Sequence, residues 1–519
     1  MPPIIQQKAV MYTVKDLLHT IKPLSAVRAE AVTAAPERPR EATPFTGRHV
    51  HFVGIGGSGM SGLAHMLINF GAVVSGTDRT PSSVTRRLSE IGAAVSYEES
   101  TGSLPDGVDT VVHSAAVKSD HPELIAAKTR GCEIVKYAAM LGRVMKLKHG
   151  VAIAGTHGKS TTTAMTAHVL LSAGKDPSFV VGATCPQLGG SARSGKGDAF
   201  VVEACEFDRS FHNLHPRIGV VLNIEEDHLD YYKDIHEINA SFHTFLSQVD
   251  PAGVAIVAAN DANCVIATRN LEQNVETYGI DVSADWQATG IRRFQGKAHF
   301  QVSYKGKKLG RLTLSIAGRH NVGNATVAAA IATHCGVPWD QIATAIESFR
   351  GADRRSQLLW QGPLAGNPEA LPVTVMDDYG HHPTEIRATL LALREHYRPQ
   401  RMICVFQPHQ HSRTRFLLDD FARSFSHADL TIVPDIYFVR DSEADRKAVN
   451  SQMLVERIKQ SAAEKNGAQD ALYIATFAHI QDYLLTHMQP GDLVVSMGAG
   501  PVWEVTDGLV RRIRGTGTA

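Results

Sequence analysis

Two glycine-rich segments constrain this chain more than any other feature, because each lies between a short apolar run and a helix-like segment. The first, GIGGSGMSG, spans residues 54–62, and the second, GTHGKSTT, spans residues 155–162. Apolar runs of this length indicate buried strands, and the segments after the glycines have the apolar spacing of a helix. Strand, tight turn and helix in this order are typical of a parallel α/β sheet.

The length and the pattern together predict three successive α/β domains. A chain of 519 residues, at about 100 to 200 residues per domain, is expected to form about three domains. Strands and helices alternate in three groups, and no internal repeat indicates a solenoid. The expected divisions are an extension or linker at 1–46, with a possible short helix near 14–21, and domains at 47–148, 149–350 and 351–519.

Composition indicates an ordinary globular protein of the cytoplasm. The 52 basic and 52 acidic residues leave no net charge, which argues against an electrostatic attraction to nucleic acid or to an anionic membrane. No apolar run is long enough to span a membrane, so membrane insertion is not expected. The six cysteines are far apart in sequence and are interpreted as reduced thiols. Oligomeric state is not predictable from these features.

The first glycine segment predicts a site for a phosphate-containing ligand. Its glycines, Gly54, Gly56, Gly57 and Gly59, would let the backbone approach a phosphate at a helix N-terminus. Asp78 lies about 20 residues further on, where a dinucleotide fold carries an acid that binds a ribose. A uridine diphosphate sugar and a nicotinamide cofactor both suit such a turn, and a turn that binds nothing is the alternative.

The second glycine segment resembles a phosphate-binding loop, although only two residues separate its first two glycines. In such a loop Lys159 neutralises the β- and γ-phosphates and Ser160 is a ligand of Mg²⁺. The expected nucleotide-binding residues are Gly155, Thr156, His157, Gly158, Lys159, Ser160 and Thr161.

Acidic residues that follow two apolar runs are expected to complete a magnesium site. Carboxyl ends of parallel strands are where open α/β sheets bind ligands. Glu203 follows one such run and is the first-choice protein ligand, and His228, between acids after the next run, is a second candidate. Solvent-exposed loop charges or helix caps are the simpler interpretation of Glu206, Asp208, Glu225 and Glu226.

These motifs, with GRHNVGN at residues 318–324 and DDYGHHP at residues 377–383, resemble in the same order those of the Mur ligases. These are amide-forming, ATP-dependent enzymes of bacterial cell-wall precursor synthesis. The N-terminal glycine segment and the paired histidines are similar to the member that adds L-alanine to UDP-N-acetylmuramate. Three departures from the family pattern are Ser160 for threonine, Cys205 and Phe207 in the acidic segment, and Gln410 and His411 before Ser412.

The resemblance implies a division of labour among three domains. A Rossmann-like first domain would hold UDP-N-acetylmuramate, a central phosphate-loop ATPase domain would hold ATP and Mg²⁺, and a Rossmann-like third domain would bring L-alanine. Asn321 and Asn324 would contact the adenine side. Lys159 and Arg355 would stabilise the transferring phosphoryl group, Arg413 would bind the alanine carboxylate, and His381 would orient the amine or take its proton.

Two alternatives stay open on sequence alone. A recycling ligase that joins a murein tripeptide to the same sugar should have an open amino-acid pocket rather than one closed around a methyl group. A redox enzyme or dinucleotide sensor built on the Gly54 turn would leave the paired histidines and the strand-end acids unexplained.

Overall fold

The computed structural model describes residues 42–98, 102–229, 231–364, 370–439, 441–464 and 469–515. Most of the predicted extension at 1–46, with its possible helix near 14–21, lies outside the described residues. Within the described part of the chain, no helix is both long enough and apolar enough to cross a membrane.

The first sheet is parallel and has the strand order β3-β2-β1-β4-β5. Its strands are β1 (His49–Val53), β2 (Val73–Thr77), β3 (Ala94–Ser96), β4 (Thr110–His113) and β5 (Glu133–Lys136). Its helices are α1 (Ser58–Asn69), α2 (Ser83–Glu90), α3 (Pro122–Arg130) and α4 (Tyr137–Met145). The first glycine segment therefore lies between β1 and α1, as predicted.

The second sheet has ten strands in the described residues, in the order β15-β14-β13-β12-β11-β10-β6-β9-β7-β8. The strands are β6 (His149–Ala154), β7 (Ser178–Cys185), β8 (Gly190–Arg193), β9 (Ala199–Glu203), β10 (Ile218–Val221), β11 (Val254–Ala258), β12 (Val275–Ile280), β13 (Trp286–Phe294), β14 (Lys297–Tyr304) and β15 (Lys307–Leu314). The helices are α5 (Lys159–Ser172), α6 (Ile235–Ser247), α7 (Ala262–Ala267), α8 (Arg319–His334) and α9 (Trp339–Ser348), with 3-10 turns at Pro186–Leu188 and Phe207–Asn213. Strands β8, β14 and β15 pair antiparallel with their neighbours, which extends the parallel centre on both sides.

The third sheet has the order β16-β17-β21-β18-β19-β20, and only its edge strand β16 is antiparallel. The strands are β16 (Gln357–Gly362), β17 (Val373–Asp378), β18 (Arg401–Phe406), β19 (Leu430–Val433), β20 (Asp470–Tyr473) and β21 (Asp492–Met497). The helices are α10 (Pro383–Tyr397), α11 (His411–Phe416), α12 (Leu418–Ser424), α13 (Glu443–Ala448), α14 (Ser451–Glu464), α15 (Phe477–His487) and α16 (Trp503–Ile513).

The central strands are buried on both faces, which explains why they read as continuous apolar runs. In β6 every residue after His149 is buried, and β10 and β11 are buried throughout. The helices on both faces cover them, and α5 and α8 pack against each other. The prediction of an α/β fold with three such units is therefore confirmed.

Strand register brings the predicted site residues to one edge of the second sheet. Ile153 of β6 pairs with Glu203 of β9, and Ala154 pairs with Val221 of β10. The chain leaves all three strands at nearly the same level, so the loop after β6 and the acids after β9 and β10 meet there.

Helix α1 packs directly against β8 of the second sheet. A Cβ atom on Gly62 would overlap the side chain of Ala192, so glycine is needed at this crossing. The contact places the N-terminal end of α1, with the first glycine turn, beside the second sheet.

Candidate active site

The loop between β6 and α5 has the backbone that its glycines predict. Gly155 and Gly158 have φ values of 136° and 84°, in the region that favours glycine. Asn223, just after β10, fixes the loop, because its Oδ1 accepts from His157 N at 2.7 Å and its Nδ2 donates to His157 O at 3.1 Å. Gly158 caps the N-terminus of α5, where a helix attracts anions.

Lys159 lies over this loop and is held by three oxygens. Its Nζ donates to Gly155 O at 2.6 Å, to Thr156 O at 3.1 Å and to Glu206 Oε1 at 3.0 Å. Burial alone would lower the pKa of Lys159, but the Glu206 carboxylate outweighs it, so the pKa is raised and the lysine stays charged. The cation therefore lies where phosphate oxygens could replace the loop carbonyls.

Ser160 and Glu203 form the oxygen pair that was predicted as a magnesium site. Ser160 Oγ donates to Glu203 Oε1 at 3.1 Å, and Glu203 Oε2 accepts from Gly182 N at 2.7 Å. A hydroxyl and a carboxylate beside a phosphate loop are the oxygen ligands that Mg²⁺ takes together with phosphate and water. The residues present thus fit the ion that the sequence predicts.

Arg355 reaches the same oxygen pair from the segment before β16. Its Nη2 donates to Ser160 Oγ at 3.2 Å, and its guanidinium lies 4.9 Å from the ring centre of Tyr379. The residues on either side of Arg355, Arg354 and Ser356, have φ values of 58° and 48°. Left-handed backbone at non-glycine residues is found most often at functional sites.

The structure pairs His228 with Glu206 and Asp227. His228 Nε2 is 3.7 Å from Glu206 Oε1 and 3.8 Å from Asp227 Oδ2. Glu206 is buried, with 4% of its side chain exposed, so its interpretation as a solvent-exposed loop charge or a cap is wrong. Its ion pair with Lys159 is what allows a carboxylate to be buried there.

Asn321 and Asn324 lie on one face of α8, as their spacing predicts. Asn324 Nδ2 donates to Asn321 Oδ1 at 2.9 Å. Both asparagines line a cavity of about 330 Å³ that also contacts the phosphate loop. Its apolar wall includes Tyr278, Ile280 and Ile316, and its other end reaches Thr161. A flat aromatic base would find apolar faces and amide edges in this cavity.

Arg413 of α11 is buried against Asp227, which follows β10. Arg413 Nη2 donates to Asp227 Oδ1, and only 9% of each side chain is exposed. Burial would raise the pKa of Asp227, but Arg413 overrides this effect, so the pKa is lowered and the carboxylate stays charged. The arginine that was predicted to bind an amino-acid carboxylate therefore already binds a carboxylate of the chain.

His381 lies close to this ion pair and is uncharged at neutral pH. Burial, and then the charge of Arg413, lower the pKa of His381 to about 3. His381 Nδ1 is 3.1 Å from Tyr379 O, which can only accept, so Nδ1 carries the proton and Nε2 keeps a lone pair. His381 can therefore accept a hydrogen bond at Nε2, although its low pKa makes it a weak base.

The Asp78 carboxylate binds the backbone of the first glycine turn. Asp78 follows β2, and its Oδ2 accepts from Gly56 N at 2.7 Å. Gly54 has a φ of 76°, and Gly57 N donates to Gly54 O at 3.2 Å. A Cβ atom on Gly59 would lie 2.7 Å from the Tyr137 hydroxyl, so this ring packs directly against the start of α1.

Glu385 is a site residue that sequence reasoning missed. Its Oε1 lies 3.3 Å from His157 Nδ1 and 3.8 Å from Arg355 Nη1, and its Oε2 accepts from His381 N at 3.1 Å. Glu385 also completes a capping box with His382 at the start of α10. The helix-start pattern HPTE at residues 382–385 is the signal that could have drawn attention to it.

The departures from the family pattern near Arg413 have structural roles. Gln410 precedes α11 with a φ of 70°, and its Nε2 donates to Val439 O at 3.4 Å. His411 N donates to Asp441 Oδ2 at 2.7 Å. The Gln410 side chain and the His411 backbone amide thus tie the start of α11 to the segment near residues 439–441.

Three family models match consecutive parts of the chain. The Mur ligase family catalytic domain matches residues 49–149, the Mur ligase middle domain matches residues 153–332, and the Mur ligase glutamate ligase domain matches residues 367–500.

Curated relatives match over nearly the whole chain. A UDP-N-acetylmuramate–L-alanine ligase of Caldanaerobacter subterraneus is 43% identical over 88% of this chain and 96% of its own length. The enzyme of the same name from Geotalea uraniireducens is 40% identical over 90% of this chain and 98% of its own.

Among solved structures, the UDP-N-acetylmuramate–alanine ligase of Thermotoga maritima superposes with a TM-score of 0.72 at 25% identity, covering 90% of this chain and all of that one. A murein peptide ligase of Psychrobacter arcticus gives a TM-score of 0.63 at 25% identity over 91% of this chain and all of its own. By the order of its three matched domains and its identity to these relatives, the chain belongs to the Mur ligase family.

Proposed function

We propose that this protein joins L-alanine to the muramoyl carboxylate of UDP-N-acetylmuramate, with cleavage of ATP to ADP and phosphate. The observation that carries the proposal is that Ser160, a residue of the phosphate loop, contacts both Glu203 and Arg355. The Ser160 hydroxyl donates to Glu203 and accepts from Arg355. Phosphoryl transfer needs such an arrangement of cations and oxygen ligands and little covalent help.

In this proposal the 330 Å³ cavity takes the adenosine part of ATP, with Asn321 and Asn324 at the edge of the base. The phosphates would extend along the loop from Gly155 to Thr161, where Lys159 exchanges the carbonyls of Gly155 and Thr156 for phosphate oxygens. Ser160 and Glu203 would hold Mg²⁺, which supplies charge neutralisation to the phosphates when bound.

The first sheet is proposed to bind the uridine diphosphate sugar. The N-terminus of α1 and the turn at Gly54, Gly56, Gly57 and Gly59 would face the diphosphate. Asp78, which now accepts from Gly56 N, would exchange that bond for a hydroxyl of the ligand. We propose domain bounds at 47–148, 149–350 and 351–519, after a leading extension at 1–46.

The chemistry proceeds in two steps. A muramoyl carboxylate oxygen first attacks the γ-phosphorus of ATP, the bond to the β-phosphate oxygen breaks, and ADP leaves from an acyl phosphate. Lys159 and Arg355 stabilise the charge that develops. The alanine amine then attacks the acyl carbon, phosphate leaves, and the amine gives a proton to a base.

His381 and Arg413 are proposed to position the alanine. Its carboxylate would take the place of Asp227 on the guanidinium of Arg413, which can form two parallel hydrogen bonds. His381, uncharged and with Nε2 unprotonated, would accept a hydrogen bond from the amine and orient it for attack. His228 would help to hold the metal or orient its neighbours through Glu206.

A small cavity favours alanine over a tripeptide as the second substrate. A space of about 20 Å³ beside Arg413 has an apolar part lined by Leu229, Phe416 and Leu417, and the rest of its lining is polar. A volume of this order holds one group the size of a water or a methyl. The side chain of alanine fits this space, whereas the open pocket expected for a tripeptide ligase would be larger.

Phosphate release tests the proposal. ATP should release phosphate at full rate only when UDP-N-acetylmuramate and L-alanine are both present, and mass spectrometry should show the alanylated sugar nucleotide. Faster release with a murein tripeptide than with alanine would indicate the recycling ligase. A change in NAD(P)H absorbance without phosphate release would indicate a redox enzyme.

The cytoplasm is the proposed location. All six cysteines are free thiols in the structure, as expected for a protein of a reducing compartment.

A further inference from the structure

Two histidines and a glutamate meet where the second sheet faces helix α10. His157 belongs to the phosphate loop, Glu225 follows β10, and His382 caps the start of α10. Glu225 Oε2 is 3.6 Å from His157 Nε2 and 3.7 Å from His382 Nδ1. One ligand atom from each residue lies within 4.8 Å of the other two. His157 and Glu225 also line the cavity proposed for adenosine, but no step proposed above assigns a chemical role to any of these three side chains.

From this geometry we propose that His157, Glu225 and His382 form a binding site for a borderline divalent transition-metal ion of the Zn²⁺ type. Two imidazoles and one carboxylate are a common ligand set for zinc. Bonds of about 2.0–2.2 Å in a tetrahedron place ligand atoms about 3.3–3.6 Å apart. The two separations from Glu225, 3.6 and 3.7 Å, are close to these values, and the histidine nitrogens, within 4.8 Å of each other, would approach on binding.

In both histidines the nitrogen farther from Glu225 faces a proton acceptor of its own. Nε2 of His382 lies 3.2 Å from Glu226 O, a carbonyl, so it carries the proton and leaves the Nδ1 lone pair, which now accepts a long bond of 3.3 Å from Thr384 N. His157 Nδ1 lies 3.3 Å from Glu385 Oε1. Ligand histidines of zinc sites typically donate their second N–H to a carbonyl or a carboxylate in this way.

Among the described residues, one inner atom is buried without a hydrogen bond, and the other two have only Thr384 as a hydrogen-bond donor, to Glu225 Oε2 at 2.6 Å and to His382 Nδ1 at 3.3 Å. His157 Nε2 makes no hydrogen bond within the described part of the chain. Only 13% of the His157 side chain and 7% of the His382 side chain are exposed. A divalent ion would balance the charges of Glu225 and Glu385.

The same geometry makes the ion a link between two parts of the chain. His157 and Glu225 lie in loops of the second sheet. His382 precedes α10, which connects β17 to β18 of the third sheet. A bound ion would add to the contact that already exists there, in which Thr384 Oγ1 donates to Glu225 Oε2 at 2.6 Å. Binding of the ion should therefore also stabilise the folded protein.

Cobalt substitution tests this proposal on the full chain. The protein is treated with a chelator, freed of it, and titrated with Co²⁺ in a buffer without Mg²⁺. We expect one Co²⁺ per chain with the strong visible absorption of four-coordinate cobalt, and displacement of that absorption by Zn²⁺. We also expect Zn²⁺ to raise the Tm.

Variants locate the ion. Glu225→Gln and His382→Gln should each abolish the visible absorption and the rise in Tm, and Glu385→Gln should weaken Co²⁺ binding by about 10- to 100-fold through His157. His228→Asn is the matched control, because it changes the neighbouring cluster of Glu206, Asp227 and His228. It should leave the cobalt spectrum intact.

Three results would overturn the proposal. The wild-type protein could fail to bind either metal, His228→Asn could abolish the spectrum, or Glu225→Gln could bind Co²⁺ as tightly as the wild type. Circular dichroism of each metal-free variant checks its fold, and if His382→Gln does not fold, Glu225→Gln carries the test. None of these readouts depends on ligase activity, so the proposed function can fail without affecting this result.

Discussion

Lys159 is the residue whose present contacts most clearly resemble those that a nucleotide would offer. Its charge is already balanced by Glu206, and two of its three oxygen partners are loop carbonyls. We expect Lys159→Ala to lower the rate of ATP-dependent ligation by about 100-fold or more, because a cation at the transferring phosphoryl group is lost. Phosphate release at saturating ATP measures this effect, and near-normal turnover would remove Lys159 from the reaction.

Arg413 tests how the amino acid is held. Arg413→Lys keeps the charge but loses the planar fork that binds a carboxylate with two hydrogen bonds. We expect the KM for alanine to rise by about tenfold or more, which corresponds to about 1.4 kcal/mol, with little change in the KM for ATP. Initial rates with each substrate varied in turn give both constants. If the KM for ATP rises instead, Arg413 belongs to the nucleotide site.

Glu203 tests the magnesium pair. Glu203→Gln preserves the shape of the side chain and removes one charged oxygen, so the Mg²⁺ concentration that gives the half-maximal rate should rise by about tenfold. His228→Ala should cause a smaller shift, because His228 contacts Glu206 and Asp227 rather than Ser160. An unchanged Mg²⁺ titration of a folded Glu203→Gln protein would make Glu203 a structural residue.

At the scale of elements, a buried carboxylate joins one side of the second sheet to helix α8. Glu276 of β12 accepts from Trp286 Nε1 at 2.7 Å and from the Tyr304 hydroxyl at 2.5 Å, and it lies 2.9 Å from His334 Nε2. Only 2% of its side chain is exposed. The Glu276 carboxylate thus links strands β12, β13 and β14 to the C-terminal end of α8.

This network gives a prediction about stability and pH. Burial would raise the pKa of Glu276, but its bonds from His334, Tyr304 and Trp286 prevail and lower the pKa to about 2. Glu276→Gln should therefore lower the free energy of unfolding at pH 7 by about 1.5–3 kcal/mol.

The sign of the pH dependence follows from the lowered pKa. The stabilisation is complete above the unfolded value near 4.5 and is lost as the pH falls toward about 2. Urea unfolding of both proteins at pH 7 and pH 3 measures the difference, which should shrink at pH 3. A difference that is the same at both pH values would contradict this assignment.

Prediction from sequence succeeded for some elements and not for others, and the reason is burial. Strands β6, β9, β10 and β11 were predicted because they are buried on both faces and read as apolar runs. Strands β13, β14 and β15 were not predicted. Polar and apolar residues are mixed along them, for example in KKLGRLTL of β15, because part of their surface faces solvent.

At the scale of the whole molecule, the unpredicted parts of the site are contacts between distant segments. Glu203 and Ser160 could be predicted, because Glu203 ends the apolar run of β9 and Ser160 ends the glycine loop that follows β6. The partner of Arg413 is Asp227, 186 residues earlier in the chain. Glu385 contacts His157 from helix α10, which packs with the third sheet rather than the second. No local pattern reports such a pairing, since it depends on how separate sheets pack.

The division of the chain predicts that its leading residues can be removed. All the proposed site residues lie between Gly54 and Arg413, and the compact unit that contains them begins at Phe45. A chain that lacks residues 1–41 should keep its kcat/KM within about twofold, as expected when a cut falls outside a compact unit. Steady-state kinetics of both chains measures this, and a loss of tenfold or more would assign those residues a part in the reaction.

If Arg413 binds the alanine carboxylate as proposed, its ion pair with Asp227 would make the protein its own competitive inhibitor. Tethered carboxylates reach local concentrations in the millimolar range or higher, so free alanine must outcompete a rival that never diffuses away. Because the pKa of Asp227 is lowered, that rival stays ionised throughout the physiological range. The apparent affinity for alanine would then depend on the difference between two free energies, that of Arg413 binding the alanine carboxylate and that of Arg413 binding Asp227. Asp227 would therefore raise the apparent KM for alanine, and the rate would follow the cellular alanine concentration over a correspondingly higher range.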